Sequence, residues 1–554
     1  MFEVKKETAS MQTRDGVRLD ADIYRPDNSQ ELPVLLMRQP YGRAIASTVV
    51  YAHPSWYAAR GYIVVIQDVR GRGTSQGEFK LFDREIEDGL DSVNWASQLP
   101  GSTGKVGMYG FSYQGMTQLY AAVAKPSALK VICPAMIAYD LYEDWAYEGG
   151  AFCLQANLGW AIQLAAETAR LRGEENSYQQ LYAAARNLPL YDRIPANPRI
   201  LKELGPDSFY HDWLARPHPD EYWEKLSPKY LMQDVDLPVL HVGGWFDPYL
   251  RGTLNLYKHM EANSKLPQHL IVGPWAHLPW GRKVGAKDYG SEATSPVDRI
   301  QLRWFDRFLK GKDTGITEEK PVCLFEMGSN RWRYFNAFPR GDRKSYYLKS
   351  NGNASISDSD GILLEGGYGN ENTISSPDVL VHDPWRPVPA FGGHASIPAG
   401  SLDRSNIDCR ADVLTYTSAP LEENLHVAGD VAVEIYCRCD APSFDLCAVL
   451  SEVFPDGRAY NFTQGYLYCS PEEVNNKKSV KIGLQATCKR IDRGNSLRLS
   501  LSAAYFPAYP INPGTGTIPT RAKTIDAKII TLTVGSRCDF PSHVQLSVLT
   551  FSPG

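Results

Sequence analysis

Between Lys105 and Ala124 the chain permits few local structures. A short apolar run, Val106 to Tyr109, has the make-up of a buried strand. Gly110-Phe111-Ser112-Tyr113-Gln114-Gly115 follows, and Met116 to Ala124 is rich in helix formers and small residues. A strand that reverses into a helix through a serine flanked by glycines is a nucleophile elbow. Such a turn lifts the Ser112 hydroxyl above the sheet edge, and the next helix directs its free N–H groups at developing negative charge. Gly110 and Gly115 leave room for a backbone approach that a side chain would block. The second glycine stands one place later than in the commonest form, G-x-S-x-G. An ordinary strand–turn–helix corner has the same pattern, so the surrounding chain has to decide.

Residues 17 to 140 alternate strands and helices. Val17 to Tyr24, Val34 to Arg38, Tyr62 to Asp68 and Val131 to Ala135 have strand character, and Glu85 to Ala96 is helical. That alternation predicts a mostly parallel sheet with covered faces. From Tyr139 the texture changes. Residues 140–235 carry helical patterns and no convincing strand: Leu154, Leu158, Ile162, Ala165 and Ala169 recur at helical spacing, and Asp220 to Leu226 forms a short helix. The α/β pattern resumes with a strand at Pro238 to Val242, a helix at Thr253 to Met260 and a strand at His269 to Val272. Val297, Ile300, Trp304 and Phe308 make a last amphipathic helix before Gly311. Beyond Pro321 the period becomes two: Val431, Val433 and Ile435, then Leu497, Leu499 and Leu501, then Ile530, Leu532 and Val534, then Val544, Leu546 and Val548. The expected organisation is an α/β domain in two parts, 1–139 and 236–320, with a helical cap at 140–235 and an all-β sandwich or jelly roll at 321–554. The helical insertion is expected over the sheet's carboxyl edge, where such folds bind ligands.

The 554 residues suffice for several domains, and a net charge of -5 gives no reason to expect nucleic acid or an anionic membrane as partner. The charged N-terminus lacks a signal-peptide core, and no apolar run approaches the ~20 residues needed to span a bilayer. The ten cysteines show no C-x-x-C spacing; Cys437 and Cys439 fall on one face of a strand, which does not favour a structural disulfide. Reduced thiols in a cytoplasmic protein are expected, and no His/Cys/carboxylate cluster has metal-ligand spacing. The partner expected is a small-molecule ester or amide, with no cofactor and with a homodimer admitted.

An elbow serine needs a base, an orienter for the base and donors for an oxyanion. In sheets of this kind the order is Ser, then Asp or Glu, then His. Gly243-Gly244-Trp245-Phe246-Asp247 and Gly273-Pro274-Trp275-Ala276-His277 each follow a strand, which puts Asp247 and His277 on the same rim as Ser112. Among the eleven histidines only His277 has both the order and the placement; His241 lies inside a strand and is expected to be core. Asp247 has a competing reading as a loop cap. Tyr113 supplies the amide after the nucleophile. The loop Gln39-Pro40-Tyr41-Gly42 supplies a second donor, and the sequence leaves open whether Tyr41 donates through its amide or its phenol. Tyr142, Trp145 and Trp160 are core by default, yet they and Phe246 are the candidates to line an acyl pocket. Gly71-Arg72-Gly73-Thr74-Ser75-Gln76-Gly77 has its third glycine misplaced for a dinucleotide loop, and Asp68 and Arg70 are expected to brace it. Ser127 to Lys130 fits S-x-x-K without the motifs that accompany it in penicillin-binding proteins.

Taken together these residues resemble the cocaine esterase/X-Pro dipeptidyl-peptidase (CocE/NonD) family of serine hydrolases. The resemblance is carried by Arg38-Gln39-Pro40-Tyr41, Asp68-Val69-Arg70-Gly71-Arg72-Gly73, the elbow, Gly244-Trp245-Phe246-Asp247 and Gly273-Pro274-Trp275-Ala276-His277. In the β part it is carried by Asp383-Pro384 with Pro387-Val388-Pro389, by Val453-Phe454-Pro455-Asp456-Gly457-Arg458 and by Pro541-Ser542-His543. It spans essentially the whole chain. It implies Ser112 as nucleophile, His277 as base and Asp247 as orienter, with the Tyr41 phenol and the Tyr113 amide as oxyanion hole. It also implies an α/β-hydrolase fold with a helical cap and a C-terminal jelly roll of the galactose-binding-like type.

The family divides into acyl esterases, prolyl dipeptidyl-peptidases and β-lactam or amino-acid ester acylases. Members that resemble amino-acid ester hydrolases hold the substrate ammonium with a carboxylate cluster, part of which follows the triad aspartate. Here Asp247 is followed by Pro248-Tyr249-Leu250, and Glu143-Asp144 alone does not complete the cluster. An ammonium with one weak partner binds poorly against its desolvation. The expectation is therefore an ester or amide with an uncharged, bulky acyl part, with the dipeptidyl-peptidase and acylase readings as alternatives. A non-catalytic binding protein on a hydrolase scaffold is the reading from another class, and the intact Ser/Asp/His order argues against it.

Overall fold

A computed structural model describes residues 3–28, 30–44, 48–367, 376–476, 478–536 and 539–550. Its first sheet has ten strands: β1 (Val4–Gln12), β2 (Arg18–Pro26), β3 (Leu32–Gln39), β4 (Ile63–Asp68), β5 (Ser102–Phe111), β6 (Leu129–Ala135), β7 (Val239–Phe246), β8 (Gln268–Ala276), β9 (Val322–Glu326) and β10 (Arg331–Phe335). Their order is β1-β2-β4-β3-β5-β6-β7-β8-β9-β10. From β4 to β9 neighbours run parallel; β1 on β2, β2 on β4 and β10 on β9 are antiparallel. Because β5, β7 and β8 are parallel and separated only by β6, their carboxyl ends share one edge.

Alternation along each strand assigns side chains to two faces. Val34, Leu36, Val65, Val106 and Met108 join one buried cluster with the helices at Glu85–Ser97 and Tyr113–Val123. Leu35, Met37, Val64, Ile66 and Tyr109 join another with the helix at Val297–Lys310. Apolar residues on both faces are what a covered parallel sheet requires. The Val297–Lys310 helix ends where Gly311 takes the left-handed conformation, φ 67°.

Two stretches differ from the sequence expectation. Gly243 to Phe246 and Gly273 to Ala276 continue β7 and β8 instead of forming loops, with a bulge between Gly273 and Ala276. The sheet also takes two strands beyond Pro321, since β9 pairs parallel with β8. A period of two marks a strand but not the sheet it joins.

Between β6 and β7 lie helices at Leu154–Leu171, Glu175–Arg186, Arg199–Leu204, Phe209–Ala215, Glu221–Leu226 and Pro228–Leu231. Leu154, Leu158, Ile162, Ala165 and Ala169 are all buried, as their spacing predicts. Asp220 caps the Glu221–Leu226 helix by accepting from the Tyr222 and Trp223 amides. A small hairpin, Tyr147–Glu148 with Ala151–Phe152, turns through Gly149 and Gly150; the sequence pattern did not announce it. The C-terminal part forms an eleven-stranded sheet, almost wholly antiparallel, whose apolar alternates Val433, Ile435, Leu499, Leu532 and Val544 are buried. One hydrophobic cluster joins the two parts, with Trp245, Phe246 and Leu324 packed alongside Ile482 and Leu484. Gln485 Nε2 adds a hydrogen bond to the Trp245 carbonyl at 2.8 Å. Among the described residues no helix is long and apolar enough to cross a membrane.

Candidate active site

Ser112 sits at the end of β5 with φ 60° and ψ −128°, a strained backbone for a residue with a Cβ. Three backbone bonds hold it there: its amide donates to the Ala135 carbonyl, and its carbonyl accepts from the Gly115 and Met116 amides. The flanking glycines are required sterically. A Cβ on Gly110 would stand 2.5 Å from Gln114 Cβ, and one on Gly115 would stand 2.3 Å from Ile137 Cγ2. The Tyr113–Val123 helix starts at once, so the Tyr113 amide is among the N-terminal N–H groups without an intrahelical partner. Behind the turn the Tyr113 ring is fully buried, and its hydroxyl donates to Glu85 Oε1 at 2.8 Å. Glu85 in turn pairs with the buried Arg38. The elbow thus stands on a buried Tyr113–Glu85–Arg38 network.

The same edge carries the other two candidates. Asp247, fully buried, accepts from His277 Nδ1 at 2.7 Å. Burial raises the Asp247 carboxyl above its ordinary range, and the hydrogen bond and charge of His277 oppose that shift. The His277 side chain is 29% exposed. His241 is buried within β7, bonded to Gln268 and pushed by burial down to about 4, so it is a neutral core histidine.

The amide and the phenol of Tyr41 have different surroundings. Its backbone amide donates to Gln39 Oε1 at 2.9 Å, so that N–H already has its partner. Its phenol faces Ser112 and accepts from Trp160 Nε1 at 3.2 Å. Burial pushes the phenol up to about 12 against the Trp160 bond, the Arg72 charge and the Ser112 hydroxyl, so it keeps its proton at neutral pH. An oxygen that accepts from Trp160 leaves its own proton free to donate.

Tyr41, Ser112, Trp145, Trp160, Phe246 and His277 line one cavity of about 1180 Å³. Asp247 and Tyr113 lie directly behind that wall. Tyr142 does not belong to it: it stacks on Tyr147 and donates to the Pro217 carbonyl at 2.7 Å. Its helical neighbours turn its ring into the core, and composition alone could not say which way it faced. Tyr249 was missed. It packs between His277 and Trp145, with centroids at 5.1 and 4.2 Å, and so continues the aromatic wall. Its position two residues past Asp247 was the available signal. The C-terminal part contributes the opposite wall through His394 to Ala399, Ala508 and Tyr509.

A second set the sequence did not reveal is Glu148, His394, Tyr509 and Arg251, all on this cavity. Glu148 is 5% exposed; its Oε2 accepts from Tyr509 at 2.6 Å and meets His394 Nε2 at 2.9 Å. Its Oε1 has no hydrogen-bond partner and lies 4.0 Å from Arg251 Nη1. Asp144, the other nearby carboxylate, is occupied by the Tyr139 and Asp140 amides and by Arg251 Nε. Burial raises the Glu148 carboxyl, but His394, Arg251 and Tyr509 together hold it at about 2. A carboxyl held below its unfolded value stabilises the fold at every pH above that value, and the contribution fades as pH falls from about 4.5 toward 2. Glu148→Gln is therefore expected to lower unfolding stability by about 2 kcal/mol at pH 7, with the gap to the parent narrowing below pH ~4.5. Denaturant midpoints across pH measure this, and a gap that is constant from pH 7 to 3 contradicts it.

Comparison with known proteins identifies the family. A family model described as X-Pro dipeptidyl-peptidase (S15 family) matches residues 15–279, and one described as X-Pro dipeptidyl-peptidase C-terminal non-catalytic domain matches residues 314–544. Cocaine esterase of Rhodococcus sp. (strain MB1 Bresler) is 30% identical over 568 residues, covering 97% of each chain. An aminopeptidase from the marine sediment archaeon Thaumarchaeota archaeon superposes with a TM-score of 0.82 at 22% identity, covering 99% of this chain and 97% of its own. An α-amino acid ester hydrolase superposes at 0.78 and 22%, with the same coverage, and these two likenesses speak for the fold. With 30% identity to an esterase over 97% of the chain and two family models that match residues 15–279 and 314–544, the chain belongs to the cocaine esterase/X-Pro dipeptidyl-peptidase (CocE/NonD) family of serine hydrolases.

Proposed function

We propose that the chain hydrolyses an ester or amide through an acyl-enzyme on Ser112, with His277 as general base and Asp247 as its orienter. The observation that carries this is the 2.7 Å bond from His277 Nδ1 to a fully buried Asp247, on the same cavity as a serine held in a strained elbow. Asp247 fixes the tautomer with Nδ1 protonated, leaving Nε2 to take the Ser112 proton as Oγ attacks the acyl carbon. The carbonyl oxygen becomes an oxyanion and receives the Tyr41 phenol and the Tyr113 amide. Collapse expels the alcohol or amine, which takes the proton from His277, and water repeats the sequence to release the acid. The helices of residues 140–235 act as a cap, and the C-terminal sheet acts as a jelly roll that walls the cavity and carries no chemistry. Cys133, Cys153, Cys323, Cys409, Cys437, Cys439, Cys447 and Cys488 are free thiols, which supports a reducing, cytoplasmic setting.

The acyl part is uncharged and aromatic. Trp145, Trp160, Tyr249 and Phe246 supply flat apolar walls, and the Glu148 charge is answered by its own partners. A second reading, an aminoacyl substrate as in dipeptidyl-peptidases, is favoured by the single open Glu148 oxygen. Fluorophosphonate labelling with peptide mapping tests the nucleophile: one adduct, on Ser112, is expected, and an adduct elsewhere overturns the assignment. A panel of aryl-acyl esters, α-amino acid esters and X-Pro anilides then separates the two readings.

Tyr41→Phe keeps the ring and removes only the donor. Turnover is expected to fall by roughly 10²–10³-fold with KM little changed, the effect of one lost oxyanion donor. A folded variant within about threefold of the parent rejects the phenol as donor.

A further inference from the structure

Arg72 is 1% exposed, and the proposed chemistry gives it no role. Its loop neighbours do brace the loop: Asp68 pairs with Arg43, and Arg70 pairs with Asp15 and Asp88. Arg72 forms no ion pair among the described residues. Its Nη1 donates to the Leu164 carbonyl at 3.2 Å, and its Nε has no hydrogen-bond partner. A buried guanidinium without a carboxylate is an expensive arrangement, and a structural filler at this position needs no charge.

Its surroundings suggest what the charge serves. The guanidinium carbon lies 3.8 Å from the Phe79 ring centroid, and that ring neighbours Tyr113 at 6.1 Å. Leu164 stands one helical turn beyond Trp160, whose Nε1 donates to the Tyr41 phenol. Arg72 is therefore linked to the support of the Tyr41 donor. We propose that Arg72 is a positioning residue for acyl transfer: its fixed charge, anchored on the Leu164 carbonyl one helical turn from Trp160, acts on the Trp160–Tyr41 pair and directs the Tyr41 phenol toward the oxyanion. This rests on the reading of Ser112 and Tyr41 given above. The electrostatics agree, since the Arg72 charge lowers the Tyr41 phenol against the effect of burial. Burial brings the guanidinium itself down to about 10, with Tyr113, Glu167 and Tyr41 opposing that shift and Arg172 adding to it, so it is charged at neutral pH.

The test is steady-state kinetics of Arg72→Met and Arg72→Lys in the full chain, each in the parent and in the Tyr41→Phe background, on an aryl ester the parent cleaves. Arg72→Met is expected to lower kcat by about 10- to 50-fold with KM within about twofold. In the Tyr41→Phe background the same change is expected to cost less than about threefold, because the charge acts through the phenol. Arg72→Lys is expected to retain most of kcat at pH 7 and to show an alkaline fall in kcat at lower pH than any in the parent, as the buried ammonium loses its proton. Arg72→Met within about twofold of the parent, or equal losses in the two Tyr41 backgrounds, overturns the proposal. Where Arg72→Met does not fold, Arg72→Lys decides: an alkaline fall that survives Tyr41→Phe, or no such fall, overturns it. Fluorophosphonate labelling of the parent is the control, since failure to label Ser112 rejects the reading of the site itself.

Discussion

Ser112→Ala is expected to lower kcat by about 10⁶-fold, the loss seen when a nucleophile is removed from a serine–histidine unit. It is expected to do so without unfolding the protein. The strained turn is held by the Ser112 amide on the Ala135 carbonyl and by its own carbonyl under the Gly115 and Met116 amides, and alanine keeps all three bonds. Alanine at φ 60° carries about the same backbone strain as serine. The melting temperature of the variant is therefore expected to lie within about 2 °C of the parent, a change well under 1 kcal/mol. Residual catalysis over water of about 10³-fold is expected to persist, since Tyr41 and the Tyr113 amide are untouched. Differential scanning calorimetry beside kcat separates the two effects. Turnover within about 10²-fold of the parent in a folded variant means that another residue forms the acyl-enzyme.

Much of this site was legible because its chemistry imposes backbone requirements that leave marks in sequence. Gly110 and Gly115 mark the elbow, since any side chain there collides with Gln114 or Ile137. Asp247 and His277 could be found from their order and from the strands that precede them. What stayed hidden depended on rotamers and on contacts between distant segments. Gln39 occupies the Tyr41 amide from two residues away, a contact that depends on its rotamer. Glu148 lies on a hairpin that the sequence pattern did not announce, and its partners His394 and Tyr509 come from some 250 and 360 residues further on. Tyr142 and Tyr249 were equally available as aromatic residues, and packing sent one into the core and the other to the cavity. The first strand, Val4–Gln12, was also missed: it is an edge strand, mostly exposed, so it has no apolar face from which a period could be read.

Asp247→Asn separates the orienter from its competing role as a loop cap. Asparagine has nearly the same volume, so it fills the fully buried site that Asp247 occupies. What changes is the polarity of the bond to His277. Asp247 Oδ1 accepts the Nδ1 proton at 2.7 Å, which obliges the neutral ring to leave Nε2 as the acceptor. An amide can turn its NH₂ toward Nδ1, and the ring then protonates at Nε2, the atom that has to take the Ser112 proton. The imidazolium that forms during attack also loses the buried carboxylate that stabilises it. Both effects act on the transition state, so kcat is expected to fall by about 10⁴-fold with KM nearly unchanged. Fluorophosphonate labelling is expected to slow in parallel, because it depends on the same activated Oγ. A loop cap alone predicts otherwise, since asparagine caps as well as aspartate and turnover would stay within about tenfold. A folded Asp247→Asn enzyme with that much turnover removes Asp247 from the catalytic unit and leaves the orientation of His277 to some other group.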